Sequence, residues 1–526
     1  MDTKALRQKI LNLAIRGKLV PQDPNDEPAS VLLERIRAEK QQMVKEGKLK
    51  AKDIKNDTVI FKGDDNLHYE QFDDGAVKCI EEEIPFELPE GWAWVRIHTA
   101  CIINPRNNID DNTEVSFVPM ANISEGYANS FVSDSRLWRN VKTGYTHFAE
   151  NDIGIAKITP CFENKKSVVF TGLINGYGAG TTELHIIRTI SGLIVPEYLL
   201  CFAKRNDFIL GGVQTFSGDV GQQRVTKDYI ANYLVSLPPL NEQKRIISAI
   251  KEAYYIIENI EKTKLSLIED VKKAKSKILD LAIRGKLVPQ DPNDEPASVL
   301  LERIRAEKEE LIKQGKIKRD KKESVIFKGD DNSYYRLTSD NKRYDVSAPF
   351  DLPDCWEWTT FPTVAHVELG KTLDKVKNTG TYYPYLRSVN VQWGYVDLSD
   401  VKEMKFEPEE IERYTIKKND LLICEGGDVG RCCVWNKNES ILYQNAIHRV
   451  RFYNSINCNF YMYFMMYLEA KGTLKRISNG VTIKHLTNTV LSNIIIPLPP
   501  LAEQERIVNA VETLFTQIDK IAEQIS

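Results

Sequence analysis

From Ile250 onward, apolar side chains recur at alternating steps of three and four: Ile250, Ala253, Ile257, Ile260, Leu267, Val271, Ala274, Ile278 and Leu281, with Lys264 the one break. This spacing predicts a single long helix with a heptad seam. It opens after Leu237-Pro238-Pro239 and closes at Gly285, a residue suited to a left-handed helix end. At about 1.5 Å per residue the helix is on the order of 60 Å long. The same seam restarts after Leu498-Pro499-Pro500 with Ile507, Val511, Leu514, Ile518, Ile521 and Ile525, then stops at Ser526. Its missing half lies at the opposite end, where residues 1–17 carry Leu6, Ile10 and Leu13 and align with residues 263–285. A second long helix split between the two ends is therefore expected, with the ends meeting and the two stripes packed antiparallel as a rod. The alternative is ordinary core packing, against which stand charged flanks such as Glu258, Lys262, Glu269 and Lys272.

The alignment extends beyond the seam. The run ILNLAIRGKLVPQDPNDEPASVLLERIRAEK at residues 10–40 returns at 278–308 with one change, Asn12 to Asp280. VIFKGDDN from Val59 returns from Val325, PFELPEGWAW from Pro85 matches PFDLPDCWEW from Pro349, and LPPLNEQKRI from Leu237 matches LPPLAEQERI from Leu498. The frame is an internal duplication. Between its parts, residues 97–233 and 362–494 have little in common. One scaffold carrying two different inserts suggests two recognition surfaces; a fused dimer kept for stability is the blander reading, and it leaves the divergence of the inserts unexplained.

The alternation in the inserts is that of strands. Each insert opens with an aromatic pair, Trp92 and Trp94 or Trp356 and Trp358, spaced to lie on one face of a strand and read first as core anchors. Each runs through β-rich segments to a double proline. After Gly285, Pro296 can occupy a first helical turn, and Leu300, Leu301 and Ile304 line one face of a short amphipathic helix. That helix packs on its own body or on a partner, self-packing being the simpler expectation.

Composition changes the picture in three places. At 526 residues, with 42% hydrophobic and 28% charged, the chain has room for about three or four domains, and no run reaches the roughly 18 apolar residues of a membrane span. The start MDTKALRQKI does not read as a secretory signal, and nine cysteines without a CxxC pair argue against a disulfide framework or a zinc site, so a cytoplasmic location is expected. Adjacent Cys432 and Cys433 read as strand residues. A net charge of −3 means that any binding of nucleic acid rests on local patches or on a partner. One basic patch, LIKQGKIKRDKK at residues 311–322, and a weaker one at 45–55, read equally well as solvated linkers. The glycines of residues 175–180 lack the Lys-Ser/Thr of a phosphate loop, no Asn-Pro-Pro-Tyr adenine-methylation motif occurs, and no Ser or Cys nucleophile is paired with His in a local motif.

The signatures KITPCFEN, GTTE, CEGGDVGR and QNAIHRVR, with LPPLxEQxRI and AIRGKLVPQ in each half, resemble the DNA-specificity subunit of type I restriction-modification systems over essentially the whole chain. The resemblance implies an α/β (α+β) fold: two β-rich target-recognition domains separated by a pair of long antiparallel coiled-coil helices, with a pseudo-two-fold repeat and circular organisation. The division it suggests is 1–40, an N-terminal helical segment; 41–84, an excursion or linker; 85–240, the first recognition domain; 241–308, the central long and short helices; 309–345, a basic linker; 346–500, the second recognition domain; and 501–526, the C-terminal helix. It implies a non-catalytic subunit that reads a bipartite asymmetric site on double-stranded DNA and docks two methyltransferase subunits and endonuclease/translocase subunits. No cofactor is expected on this chain; S-adenosylmethionine, ATP and Mg belong to the partners, and no membrane is involved. The alternative is a coiled-coil scaffold with two domains for non-DNA ligands. Two unlike readers on a rigid spacer independently suggest two specified half-sites with an unread gap, with centres about one turn, ~34 Å, apart.

Base readout needs paired donors and acceptors, such as Arg for guanine and Asn or Gln for adenine. In the first insert the candidates are Lys157, Thr159, Asn164, Lys165, Thr181, Gln222, Gln223 and Arg224, the last three forming the best single group in a polar loop. In the second they are Arg387, Asn390, Arg431, Gln444, Asn445, His448, Lys484 and His485, with Lys484 the counterpart of the Gln222 group. Glu163, Thr182 and Glu425 serve equally well to brace adjacent turns, and His448 on an alternating strand reads somewhat better as a satisfied buried histidine. No metal-binding or catalytic residue is expected.

Overall fold

The computed structural model describes residues 2–190, 192–219, 222–319, 324–338, 340–374, 378–478 and 485–525. The chain divides into two compact units, Met1–Thr263 and Lys264–Ser526, each with its own core.

In the first unit the variable region is two four-stranded sheets. One orders Ser167–Val169, Ile153–Ala156, Leu184–Thr189 and Cys101–Ile103, antiparallel throughout. The other orders Asp134–Leu137, Glu114–Val118, Tyr177–Gly180 and Thr146–Ala149, with one parallel pair in the middle. The second unit repeats this. Cys432–Val434, Leu421–Cys424, Ile447–Phe452 and Ala365–Leu369 form the antiparallel sheet. Lys402–Phe406, Thr381–Leu386, Ile441–Tyr443 and Thr415–Ile416 form the mixed one, its parallel pair in the same place. The inserts that look unrelated as sequences therefore share one topology. What the topology requires is alternation and turns, which many sequences supply.

Two features common to both inserts hold this topology. Asn151 and Asn419 adopt φ of 68° and 71°, and the Asp after each caps its turn: Asp152 accepts from the Ala149 N–H at 2.7 Å, and Asp420 from the Lys417 N–H at 2.7 Å. The same carboxylates take a forked arginine from the neighbouring strand, Arg188 at 2.8 and 2.7 Å, Arg451 at 2.7 and 2.6 Å. Burial pushes the Asp152 carboxyl up, against the pull of Arg188.

The duplicated frame folds as one network in each unit. Ala93–Arg96 pairs with Leu234–Leu237, and Glu357–Thr360 with Ile495–Leu498. Helix Leu240–Ile283 and helix Leu501–Ile525 follow the double prolines. In LPPLxEQxRI, the Glu accepts the first tryptophan's indole N–H, Trp92 to Glu242 at 3.0 Å and Trp356 to Glu503 at 2.9 Å. Its other oxygen takes the Gln of VPQ, Gln22 or Gln290. The motif's Gln donates to Pro238 O or Pro499 O and receives the N–H of Val195 or Asn457, tying the frame to the insert. Its Arg pairs with the second Asp of QDPND, Arg245 with Asp26 and Arg506 with Asp294. All four tryptophans of the aromatic pairs are buried.

Gly17 and Gly285 lie at φ of 66° and 64°, where a Cβ would collide with Pro89 or Pro353. The short helices Ala29–Lys45 and Ala297–Lys313 pack on their own units through Leu32 and Ile36, and through Leu300, Leu301 and Ile304. Lys40, buried, donates to Asp57 and to the His98 and Thr99 carbonyls that end a one-turn helix, and Lys308 donates to Pro362 O.

The long helix spans 44 residues, about 66 Å. In the first unit it meets Thr3–Ile15 antiparallel: Ser236 Oγ donates to Ile15 O, and Arg7 forks onto Glu261 at 2.8 and 3.0 Å. In the second unit it meets the C-terminal helix antiparallel, Lys275 bonding Asp519 at 2.5 Å and lying over Phe515. The seam is not buried throughout. Ile250 and Ile257 enter the first core and Ile278 packs against the second, whereas Ile260 and Leu267 are exposed. The segment 41–84, expected as an excursion or linker, holds a three-stranded antiparallel sheet, Val59–Lys62 with His68–Gln71 and Val77–Cys79, and the expected basic linker 309–345 and the residue after it hold another, Ser324–Lys328 with Tyr334–Thr338 and Arg343–Val346. The first is pinned by Glu70, which receives Thr58 Oγ1 and the Arg96 fork, a tertiary anchor that local composition does not reveal.

Candidate nucleic-acid interface

In each unit most of the described candidate residues collect where the strand Ile153–Ala156 or Leu421–Cys424 ends. Three backbone and side-chain bonds fix the place identically. Lys157 N donates to Glu183 O at 3.0 Å, Val225 N to Lys157 O at 2.9 Å, and His185 Nε2 meets Val225 O at 3.1 Å. In the second unit Glu425 N donates to Ala446 O at 2.9 Å, Leu486 N to Glu425 O at 2.7 Å, and His448 Nε2 meets Leu486 O at 2.8 Å. Each ring donates from Nε2, because a carbonyl can only accept, and burial lowers the pKa of both histidines. His448 is thus a fully buried brace, not a surface contact.

In the first unit Thr159 N donates to Gln223 O, and Ile158 and Ser217 each form a bridge to Arg224, which draws Lys157, Thr159, Gln222, Gln223 and Arg224 together. Gln222 is exposed. Thr181 Oγ1 accepts from Glu183 N, so it braces the GTTE turn. Arg224 is committed within the protein: Nε and Nη2 each lie 2.9 Å from Glu183, and Nη1 donates to Gln222 O. The pair holds the Glu183 carboxyl below its ordinary value, Arg224's hydrogen bonds being the main cause. A cleft of about 340 Å³ opens beside Lys157, lined also by Arg106, Tyr145, His147 and Thr182. Arg106 and Tyr145 were not anticipated; their segments have no repeat and no motif to mark them.

Asn164 and Lys165 do not join this group through their side chains. Lys165 sits over the Tyr127 ring at 4.7 Å and donates to Asn206 Oδ1 at 2.5 Å, and Asn164 reaches Glu125 at 3.4 Å. Both line a groove against Lys4 and Gln8 of the N-terminal helix, and burial, then Lys4, lowers the Lys165 pKa. The left-handed φ of 58° at Lys165 turns the chain here.

In the second unit Asn390 is buried with its amide fully used: Oδ1 accepts from Arg387 N, and Nδ2 donates to Asp397 O and Asp400 O. That assigns it to holding the turn instead of reading a base. Arg387 donates to Asp400 O and Oδ2 at 2.9 and 2.7 Å, and Arg431 Nη2 to Ser388 O at 2.9 Å. Gln444 carries a buried Oε1 without a partner among the described residues, and Asn445 Oδ1 accepts from Ala446 N, whose residue lies at a φ of 79°. His485 is exposed. Lys484 lies outside the described residues.

Two equivalent β-rich domains, each presenting a different polar set at the same strand end, define a duplicated recognition protein. A family described as "Type I restriction modification DNA specificity domain" matches residues 89–270 and 353–526, and the chain belongs to it. The chain is 34% identical to the Type I restriction enzyme EcoAI specificity subunit of Escherichia coli, over 98% of this chain and 90% of that protein. It is 32% identical to the EcoEI specificity subunit of Escherichia coli, over 99% and 90%. A solved structure described as the structural basis of complex assembly and conformational transition of the type I R-M system superposes with a TM-score of 0.54 at 20% identity, covering 84% of this chain and 94% of that one, which shows a common fold. No described helix is long and apolar enough to cross a membrane, and no cluster of potential metal ligands occurs among the described residues.

Proposed function

We propose that this chain is the sequence-reading subunit of a type I restriction-modification complex, each domain reading one half of an asymmetric bipartite site on double-stranded DNA. The observation that carries this is the backbone equivalence of the two strand ends together with the unlike side chains they present. Two identical readers would specify a symmetric site; two unlike readers on one fold specify two different half-sites. The contacts we assign are Lys157, Thr159, Gln222, Gln223 and Arg224 in the first domain, and Arg387, Arg431, Gln444, Asn445 and His485 in the second, with Lys484 beside them in sequence. The Arg224–Glu183 pair presents a guanidinium already oriented, at the cost of exchanging one partner when it contacts DNA.

In this reading the long helix and its two partners set the spacing between half-sites and dock two methyltransferase subunits, and endonuclease/translocase subunits join that core. The catalysis, and with it S-adenosylmethionine, ATP and Mg, belongs to those cytoplasmic partners. With a net charge of −3, the chain relies on local patches and on partner surface for phosphate neutralisation. Co-expression with the partner methyltransferase subunit and genome-wide mapping of methylated adenines tests the proposal. One two-part motif with a fixed gap supports it. A stable complex that methylates without any motif refutes it and favours a scaffold for other ligands.

A further inference from the structure

The three bonds that position Lys157 also position Glu425, so these residues occupy one slot in two domains. The sheet registers agree. Gly180 lies opposite Val118 and Leu184 opposite Ala156 in the first domain, as Tyr443 lies opposite Leu386 and Ile447 opposite Cys424 in the second. The residue following Ala156 or Cys424 is the slot. Both side chains are half-buried, and neither head group has a hydrogen-bond partner among the described residues, whereas nearby Arg224, Arg387 and Arg431 are each held by the protein. A cation free beside Arg106 suits an acceptor-rich ligand edge. A free carboxylate on a DNA-facing surface repels phosphate, and its place is explained only by a donor that reaches it.

Resting on the DNA-reading assignment above, we propose that this slot determines specificity in both half-sites with opposite polarity. Lys157 donates to the O6/N7 edge of a guanine, and Glu425 accepts from the N4 amine of a cytosine. Each half-site then contains a G·C pair at the position under the slot, contacted on its purine in one and on its pyrimidine in the other.

The test uses the complex of the full chain with its methyltransferase partner and competition against DNA libraries randomised one position at a time. Glu425→Gln is expected to reduce the preference for cytosine at one position of one half-site by roughly 5- to 140-fold and to admit adenine, which glutamine pairs in two-fold fashion, leaving the other half-site unchanged. Lys157→Gln is expected to act likewise on a guanine in the other half-site. Glu425→Ala and Lys157→Met serve as second variants and should relax the same positions, with thermal melting unchanged because no partner is lost. Unchanged preferences would overturn the proposal. So would, for the Lys157 variants, a uniform loss across all sequences with the salt slope reduced by about one, the signature of a phosphate contact. Absence of any preference in the wild-type complex would instead refute the DNA-reading assignment itself.

Discussion

Arg451→Met should be more damaging than Asp420→Ala, although the two residues share one ion pair. Asp420's side chain is 1% exposed and that of Arg451 is 32% exposed. Removing the arginine strands a buried carboxylate that keeps, among the described residues, only the Lys417 N–H, a situation that costs about 3–5 kcal/mol. Removing the aspartate forfeits the fork and the turn bond, but the guanidinium can hydrate and retains Thr415 O at 3.1 Å, which limits the loss to about 2–3 kcal/mol. The double variant leaves no stranded charge, so its cost should fall short of the sum by about 2 kcal/mol or more. For units of this size each kcal/mol moves the melting temperature by about 2–4 °C, giving roughly 6–20 °C for Arg451→Met. Calorimetry of the full chain, with hydrogen exchange along Leu421–Cys424 and Ile447–Phe452, reads the cycle. Additivity within about 0.5 kcal/mol, or the reverse order of the single variants, would refute the reasoning.

Glu503→Ala and Glu242→Ala should each cost about 1–3 kcal/mol by leaving a buried indole N–H unpaired and the glutamine amide with only its bond to Gly285 O or Gly17 O, and should raise hydrogen exchange around Gln290 or Gln22. Gly285→Ala should destabilise by more than the ~1 kcal/mol of a left-handed alanine, since its Cβ also meets Pro353; a urea midpoint equal to wild type would contradict the close approach. His185 and His448 are held neutral by burial, so the folded chain binds fewer protons than the unfolded one. Their contribution is complete above the unfolded value of about 6.5 and is lost as the pH falls through the depressed folded values, by up to ~1.4 kcal/mol per pH unit per histidine. Urea midpoints between pH 7.5 and 4.5 should show this acid limb and show it flattened in His448→Gln.

Periodicity made the long helix and the shorter helix packed antiparallel on it in each unit legible, because helical packing is local and repeats every few residues. The duplication marked Trp92, Glu242, Arg245 and Asp26 as parts of one frame without showing that they touch; that information lies in contacts separated by up to 220 residues. The common fold of the inserts was hidden because pairwise identity does not register a topology held by a few contacts. A signal was nevertheless there: Asn-Asp before a buried strand, and His-x-x-Arg later, occur in both inserts and become the turn, the brace and the ion pair. At the interface, residue type suggested Asn390 and His448 as readers because both can pair with bases. Their burial decides otherwise, and burial at a strand end depends on which loop covers it. Arg106 and Tyr145 reach the Lys157 cleft from loops with no pattern of their own.

The division of labour between buried and surface groups explains how one fold can hold two specificities. Everything that fixes the strand end is buried or backbone-mediated: the Asp–Arg fork, the histidine on a loop carbonyl, the paired N–H and C=O of the slot residue. None of these bonds uses the slot's own side chain, so Lys can stand where Glu stands without cost to folding. Neighbouring positions follow the same rule. Arg224 forks onto Glu183 in the first domain, whereas the equivalent positions hold His485 and Ala446 in the second and form no such pair. A scaffold whose stabilising contacts are separate from its ligand-facing ones can change what it reads by substitution at a few half-buried positions. That separation is why the frame can be nearly identical across 268 residues of offset while the surfaces it carries differ in charge at the same atom of backbone.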